Sequence, residues 1–154
     1  MAEITYQSAL SRAAALCSKS EKCIADIRKK LYDWKLNPAD HDKLISYLVS
    51  EKYIDEERFT RFYVRDKFRF NQWGKVKIRY QLYGKGIPEH LIDAALEDEI
   101  EVEGYQNLAY DLAKTKLKYI KAESEFERKG KLMRFLSGKG FEPDLINQIA
   151  DKLL

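Results

Sequence analysis

Ile78-Arg79-Tyr80-Gln81-Leu82-Tyr83-Gly84-Lys85-Gly86-Ile87-Pro88 has two counterparts in this chain, one on either side. Upstream stands Ile27-Arg28-Lys29-Lys30-Leu31-Tyr32-Asp33-Trp34-Lys35-Leu36-Asn37-Pro38. Downstream stands Leu132-Met133-Arg134-Phe135-Leu136-Ser137-Gly138-Lys139-Gly140-Phe141-Glu142-Pro143. The anchor leucines Leu31, Leu82 and Leu136 lie 51 and 54 residues apart. Self-similarity at such a period marks a repeat architecture, in which each unit buries too little alone and must pack on a neighbour. Glycine just past a helix end supplies a left-handed cap, and proline suits the first turn of the next helix. Each block therefore reads as one helix stopping and another starting.

The flanks complete the unit. After each proline comes a short amphipathic run: Leu44-Ile45-Ser46-Tyr47-Leu48, Leu91-Ile92-Asp93-Ala94-Ala95-Leu96 and Leu145-Ile146-Asn147-Gln148-Ile149. Before each block lies a further helix. The first spans about Tyr6–Cys17, with Ser20-Glu21-Lys22 opening the helix to Trp34. The second runs from Asp55-Glu56-Glu57-Arg58 to about Phe70, its acids at the positive end of the helix. The third runs from about Glu103 to Ala122, ahead of Ser124-Glu125-Phe126-Glu127. No stretch alternates with the period of two that a strand requires. The chain is predicted to be all-α, with three tandem three-helix repeats at 1–53, 54–100 and 101–154 that either stack on one another or each form a small bundle.

Hydrophobic residues make up 45% of the 154, a globular rather than disordered composition. No apolar run approaches the roughly 18 residues that would span a bilayer. Met1-Ala2-Glu3-Ile4-Thr5-Tyr6 lacks the basic start and apolar stretch of a signal peptide, so a cytoplasmic, monomeric protein is expected. Cys17 and Cys23 match neither a redox pair nor a zinc site and are predicted to be buried free thiols. His41 and His90 have no catalytic partner at motif spacing. There is no Gly-rich phosphate loop, HExxH or nucleophile elbow, and Glu97-Asp98-Glu99-Ile100-Glu101-Val102-Glu103 reads as a charged connector. An enzyme is not expected, nor a cofactor or metal.

The net charge of +3 conceals a strong asymmetry. Arg58, Arg61, Arg65, Lys67, Arg69, Lys75, Lys77, Arg79 and Lys85 face a single acid, Asp66, between residues 58 and 88. Residues 89–111 then carry eight acids and no Lys or Arg, and residues 112–134 carry eight basic residues against three acids. Such segregation suits a polyanionic partner. On a helical wheel Arg58, Arg61, Arg65 and Arg69 share an arc of about 80°. Phe59, Phe62, Tyr63 and Phe70 fall on the neighbouring arc, which is predicted to pack. Arginine's planar fork suits phosphates and carboxylates, although a solvated face balanced by the acidic segment would produce the same pattern. Lys75, Lys77, Arg79 and Lys85 continue the charge, interleaved with Trp73, Tyr80 and Tyr83. Exposed aromatics there would suit single-stranded nucleic acid, but Tyr80 and Tyr83 are expected to be buried. Gly74 is predicted to permit a tight backbone conformation.

These residues resemble the RecX family, small modulators of the RecA recombinase. The resemblance rests on Ile54-Asp55-Glu56-Glu57-Arg58-Phe59, Tyr63-Val64-Arg65, Gly74, Ile78, Leu82 and Lys85-Gly86-Ile87, in that order and spacing. It covers essentially the whole chain. Trp34-Lys35 departs from the family's usual Lys-Gly, and Thr60 stands where alanine is usual. The resemblance implies an elongated, curved helical stack of the three repeats and binding along the groove of the RecA–single-stranded-DNA filament, with inhibition of ATPase, strand-exchange and co-protease activities. The residues expected to bind the filament or DNA are Arg58, Arg61, Arg65, Arg69, Lys75, Lys77, Arg79 and Lys85. A helical module that binds nucleic acid by itself is the alternative.

Overall fold

The computed structural model describes residues 3–154. The N-terminal Met1-Ala2, on which part of the signal-peptide reading falls, lies outside the described residues. Among those described there are nine α-helices and no strand: α1 Tyr6–Lys19, α2 Ile24–Asp33, α3 His41–Ser50, α4 Glu56–Arg69, α5 Lys75–Gly84, α6 Glu89–Glu99, α7 Val102–Leu117, α8 Glu125–Lys139 and α9 Pro143–Leu153. A single 3₁₀ turn, Pro38–Asp40, leads into α3.

Three helix starts use a side-chain oxygen to satisfy an orphan amide, as helix N-termini require. Thr5 accepts from the Ser8 N–H at 3.2 Å, Asp55 from Arg58 at 3.0 Å and Ser124 from Glu127 at 3.1 Å. Two helix boundaries differ from the sequence reading, and residues 97–103, read as a charged connector, are helical except for Ile100 and Glu101. Helix α2 starts after Cys23 rather than at Ser20, because Ser20 caps the end of α1 through the Leu16 carbonyl while Asp26 reaches back to the Cys23 N–H at 3.2 Å. Helix α7 stops at Leu117 rather than near Ala122, where the chain turns and Ile120 packs back onto the core.

The repeat is visible atom for atom at the ends of α2, α5 and α8. Lys35, Gly86 and Gly140 occupy the equivalent left-handed position, with φ of 61°, 74° and 97°. The next amide in each case bonds the anchor leucine's carbonyl: Leu36 to Leu31 at 3.0 Å, Ile87 to Leu82 at 3.2 Å and Phe141 to Leu136 at 3.2 Å. Leu36, Ile87 and Phe141 are all buried behind that bond, the apolar contact that accompanies this type of cap. The first repeat thus keeps the geometry without the glycine. Lysine there takes up a conformation that costs an L-residue about 1–2 kcal/mol.

The chain has two cores rather than three. One belongs to the first repeat: Ala9, Ala13, Cys17, Ile27, Leu31, Leu36, Leu44, Ile45 and Leu48, closed by Ile54 from the following connector. The other is shared by the second and third repeats, running from Phe59, Val64, Ile78 and Leu82 through Leu96 and Ile100 to Tyr105, Leu132, Leu136 and Phe141. Cys23 belongs to this larger core although it caps α2, so the first repeat is keyed into the second by one side chain. Both cysteines are buried free thiols, as predicted. Burial pushes the Cys23 thiol up to about 11, which keeps it protonated and unreactive.

Candidate nucleoprotein interface

The second repeat sits between its neighbours, and the two junctions are built differently. At the junction with the third repeat, backbone meets backbone. The free amides at the start of α5 receive the carbonyls at the end of α8: Gly74 N–H donates to Lys139 O at 2.7 Å and Val76 N–H to Gly140 O at 2.9 Å. Between them, Lys75 N–H donates to the Tyr105 hydroxyl at 2.9 Å, and that hydroxyl donates onward to Glu142. Burial and then the Glu142 bond hold the Tyr105 phenol far above its usual range, so it acts as a fixed neutral donor. Gly74 is required here for a reason different from the one predicted. Its φ is an ordinary −76°, but a Cβ would lie 2.3 Å from the carbonyl carbon and oxygen of Gly140.

At the junction with the first repeat, charged side chains do the joining. Arg58 pairs with Glu21 at 2.6 Å and also donates to Lys52 O at 3.2 Å. Lys85 pairs with Asp26 at 2.8 Å, and the Ile24 N–H donates to Glu56 at 3.2 Å. Burial works to raise the Asp26 carboxyl, but its bonds from Lys85 and the Cys23 amide outweigh this and hold it below the usual range. Burial likewise opposes the charge on Lys85, and the bond to Asp26 overrides it and raises that group. The signs follow directly. The lowered Asp26 contributes stability above its unfolded value and loses it as pH falls through the folded value. The raised Lys85 contributes below its unfolded value and loses it as pH rises through the folded one. In urea unfolding, wild type should therefore exceed D26N/K85M by most at neutral pH. The gap should close in acid below the carboxylate range and in alkali above the lysine range.

The arginine ladder on α4 is present, and the acidic segment folds back onto it. Arg61 meets Asp98 at 2.9 Å, Glu99 at 3.2 Å and Glu57 at 3.5 Å, while Arg65 meets the same Glu99 at 2.9 Å. Asp98 and then Glu99 hold the Arg61 guanidinium above its ordinary value. Arg79 on α5 pairs with Asp93 on α6. Five of the eight expected contact residues (Arg58, Arg61, Arg65, Arg79 and Lys85) thus already have carboxylate partners. The other three, Arg69, Lys75 and Lys77, form no ion pair among the described residues.

Several aromatic side chains sit where the sequence did not place them. Tyr80 and Tyr83, expected inside, are 75% and 71% exposed. Helix α5 buries a stripe of just two side chains, Ile78 and Leu82, four residues apart, which leaves both tyrosines outward. Phe70 is 80% exposed and Phe62 45%, so half of the apolar arc predicted for α4 faces solvent. What α4 buries is Phe59, Thr60 and Val64, with the Thr60 hydroxyl satisfied by the Glu56 carbonyl at 2.6 Å. Trp73 is half-buried, its ring approached by Lys77 at 4.6 Å and Lys67 at 5.2 Å.

Lys139, absent from the residues picked out by sequence, lies at the same junction. Its Nζ donates to Asn71 O at 2.8 Å, and Lys77 Nζ donates to Gly138 O at 3.5 Å. Burial, and after it the charge on Lys77, push the Lys139 ammonium below its ordinary value. The one signal for it was Gly138-Lys139-Gly140, read as a helix cap alone.

His41 is buried with Nε2 on Leu36 O at 3.0 Å and its ring 4.6 Å from Tyr32, a packing role, while His90 is exposed. No group of three or more His, Cys, Asp or Glu that could hold a metal occurs among the described residues. No helix there is long and apolar enough to cross a membrane.

The chain is an all-α tandem-repeat protein whose middle three-helix unit is joined to one neighbour through charged side chains and to the other through backbone. Family models for the second and third three-helix domains of RecX match residues 55–96 and 103–149. The Regulatory protein RecX of Chlorobium phaeobacteroides is 32% identical over 155 residues, covering 99% of this chain and 98% of that one. That of Clostridium beijerinckii is 29% identical over 92% of this chain, which spans 66% of the relative's length. A crystal structure of regulatory protein RecX superposes with a TM-score of 0.81 at 26% identity, over 94% of this chain and 74% of that one. The chain belongs to the RecX family.

Proposed function

We propose that this protein regulates a RecA recombinase by docking the basic face of its second repeat on the RecA–single-stranded-DNA filament. Docking would suppress the filament's ATPase, strand-exchange and co-protease activities, in keeping with a role in the SOS response and recombinational repair. The observation that carries the reading is the uneven neutralisation of that face. Arg69, Lys75 and Lys77 stand without carboxylate partners, while Arg58, Arg61, Arg65, Arg79 and Lys85 form ion pairs with acids of this chain. The exposed Arg79–Asp93 pair contributes little to stability, so exchanging its carboxylate for a filament carboxylate or phosphate costs little. A filament presents both.

The test is single-stranded-DNA-dependent ATP hydrolysis by the cognate RecA while this protein is titrated in. Inhibition well below one molecule per RecA is expected, and would point to interference with filament growth. No effect at equimolar protein with retained DNA binding would instead support an independent nucleic-acid-binding module. That second reading is favoured by one observation, the exposure of Tyr80 and Tyr83 on the same helix as Lys75 and Lys77. Steep salt dependence of free-DNA affinity would accompany it.

A further inference from the structure

We propose that Lys77 and Lys139, held side by side where the third repeat is spliced onto the second, bind a backbone phosphate of a single-stranded nucleic acid. The proposal rests on the filament-regulator reading and deepens it, since it assigns one contact to nucleic acid rather than to protein.

The pair is positioned by backbone, not by the chance of two flexible side chains. Lys139 is the residue whose carbonyl receives the Gly74 amide at 2.7 Å. Gly140 lies so close to Lys77 that an added Cβ would stand 2.3 Å from the Lys77 Cβ and 2.8 Å from its amide nitrogen. The close approach that joins the repeats therefore also brings the two lysines' backbones together, and each side chain is held by a carbonyl of this junction. Preorganisation of this kind lowers the ordering cost of binding.

No acid answers them. Neither ammonium has a carboxylate within 4.0 Å among the described residues, and each rests on a main-chain carbonyl instead: Lys139 on Asn71 and Lys77 on Gly138. Burial first, and then the charge on Lys77, hold the Lys139 ammonium below its ordinary value, as expected of a partly desolvated cation with a like charge nearby and no counter-ion. The rest of this surface behaves differently, for Arg58, Arg61, Arg65, Arg79 and Lys85 have each found an acid. A third ammonium adds to the field, because Lys67 shares the Trp73 ring with Lys77 and has its own acid, Asp66, no nearer than 3.8 Å. An entering anion would supply the counter-charge that these ammonium groups lack in the free protein.

The anion's class follows from what surrounds the pair. Lysine binds phosphate as a point charge and lacks the planar fork that would read a carboxylate in two places. The Trp73 ring is taken up by ammonium groups, so the contact is with backbone and independent of base sequence. Tyr80 and Tyr83 project from the same helix as Lys77 and offer ring faces that unpaired bases can stack on. Bases within a duplex are already stacked.

The experiment is fluorescence anisotropy of the full chain with a labelled oligothymidylate over a salt series, comparing wild type with K77Q/K139Q. Glutamine keeps a donor for the Asn71 and Gly138 carbonyls and removes the charge. Loss of two phosphate contacts should flatten the log-affinity against log-salt slope by about 1.4 and weaken low-salt binding by about tenfold or more. K77R/K139R should recover the slope, and K29Q/K30Q on α2 should match wild type. Matched thermal unfolding of all four proteins excludes misfolding as the cause. An unchanged slope in K77Q/K139Q, or equal displacement of the oligonucleotide by matching duplex, would overturn the proposal. The filament reading fails separately. A wild type that leaves RecA ATP hydrolysis untouched but shows the slope change would keep this site and lose the regulator. Inhibition of RecA with an unchanged slope would do the reverse.

Discussion

Replacing Gly74 with alanine is expected to destabilise the protein by about 3–5 kcal/mol, against a slight gain for the same change at Gly84. The added Cβ at position 74 would stand 2.3 Å from two backbone atoms of Gly140 and 2.5 Å from the Phe141 nitrogen. Backbone cannot rotate aside as a side-chain tip can, so the two helix ends must part. Separation breaks the Gly74–Lys139 and Val76–Gly140 hydrogen bonds and strands polar groups of the buried Gly74 and Gly140, at about 1–3 kcal/mol for each buried group left unsatisfied. Overpacking adds about 1–3 kcal/mol before relaxation, and partial opening keeps the total below the sum of these parts. At Gly84 a Cβ would meet nothing within 4 Å, and the residue lies in the last turn of α5. There alanine lowers the entropy of the unfolded chain and favours helix by about 0.5–1 kcal/mol. Urea unfolding of the two variants measures the contrast. A cost under about 1 kcal/mol for Gly74→Ala would mean that the splice does not hold the repeats together.

Much of this architecture was legible because its cause is local. A helix that ends in a left-handed residue and restarts at a proline announces itself within twelve residues, and the three blocks did so together. Lys35 is the instructive case. Sequence placed it where the relatives' glycine belongs, and the structure gives it the same positive φ, so the anchor-leucine pattern outranked the residue's own preference. The interface was less legible because its causes are distant. Glu99 is 34 residues from Arg65 and 38 from Arg61, and no helical wheel of α4 shows that it arrives there. The same wheel defined two adjacent arcs without showing which edge of the apolar one would face the core. Phe62 and Phe70 were therefore misplaced, while Phe59 was correctly expected inside. Gly74 was picked out for conformational freedom, yet what it provides is the absence of a Cβ against a segment 66 residues away, a fact no local window contains.

Charge neutralisation changes how the basic segment should be understood. Nine cations against one acid between residues 58 and 88 looks like a free polyanion site, yet Glu21, Asp26, Asp93, Asp98 and Glu99 all come from outside the α4–α5 helix pair to meet it. Net charge along a segment is thus a poor guide to the field outside it, since acids supplied by neighbouring helices screen it at contact distance. The unanswered charge lies toward the third repeat, at Arg69, Lys75, Lys77 and Lys139. Arg58, by contrast, serves the junction with the first repeat: it reaches Glu21 and two carbonyls of the preceding connector.

The three anchor leucines offer the second large effect and a direct test of the two-core arrangement. Leu31, Leu82 and Leu136 are each 0% exposed and occupy equivalent positions, so truncation to alanine removes the same atoms three times. Each change should cost about 2.7–5 kcal/mol, the transfer loss plus the cavity left behind. Their consequences should nonetheless differ. Leu31 belongs to the core of the first repeat, which is closed by Ile54 and otherwise touches the rest through Cys23, ion pairs and a few hydrogen bonds. Leu31→Ala should therefore split the unfolding curve, with the first repeat melting early and a residual transition for the other two. Leu82 and Leu136 share one core, so either truncation should lower a single transition that carries the second and third repeats together. Near-native stability of repeats two and three in the Leu31 variant, read from amide protection of α5 and α8, would fit separate cores. A single cooperative loss in all three variants would mean that Cys23 and the charged junction couple the repeats as tightly as the shared apolar core does.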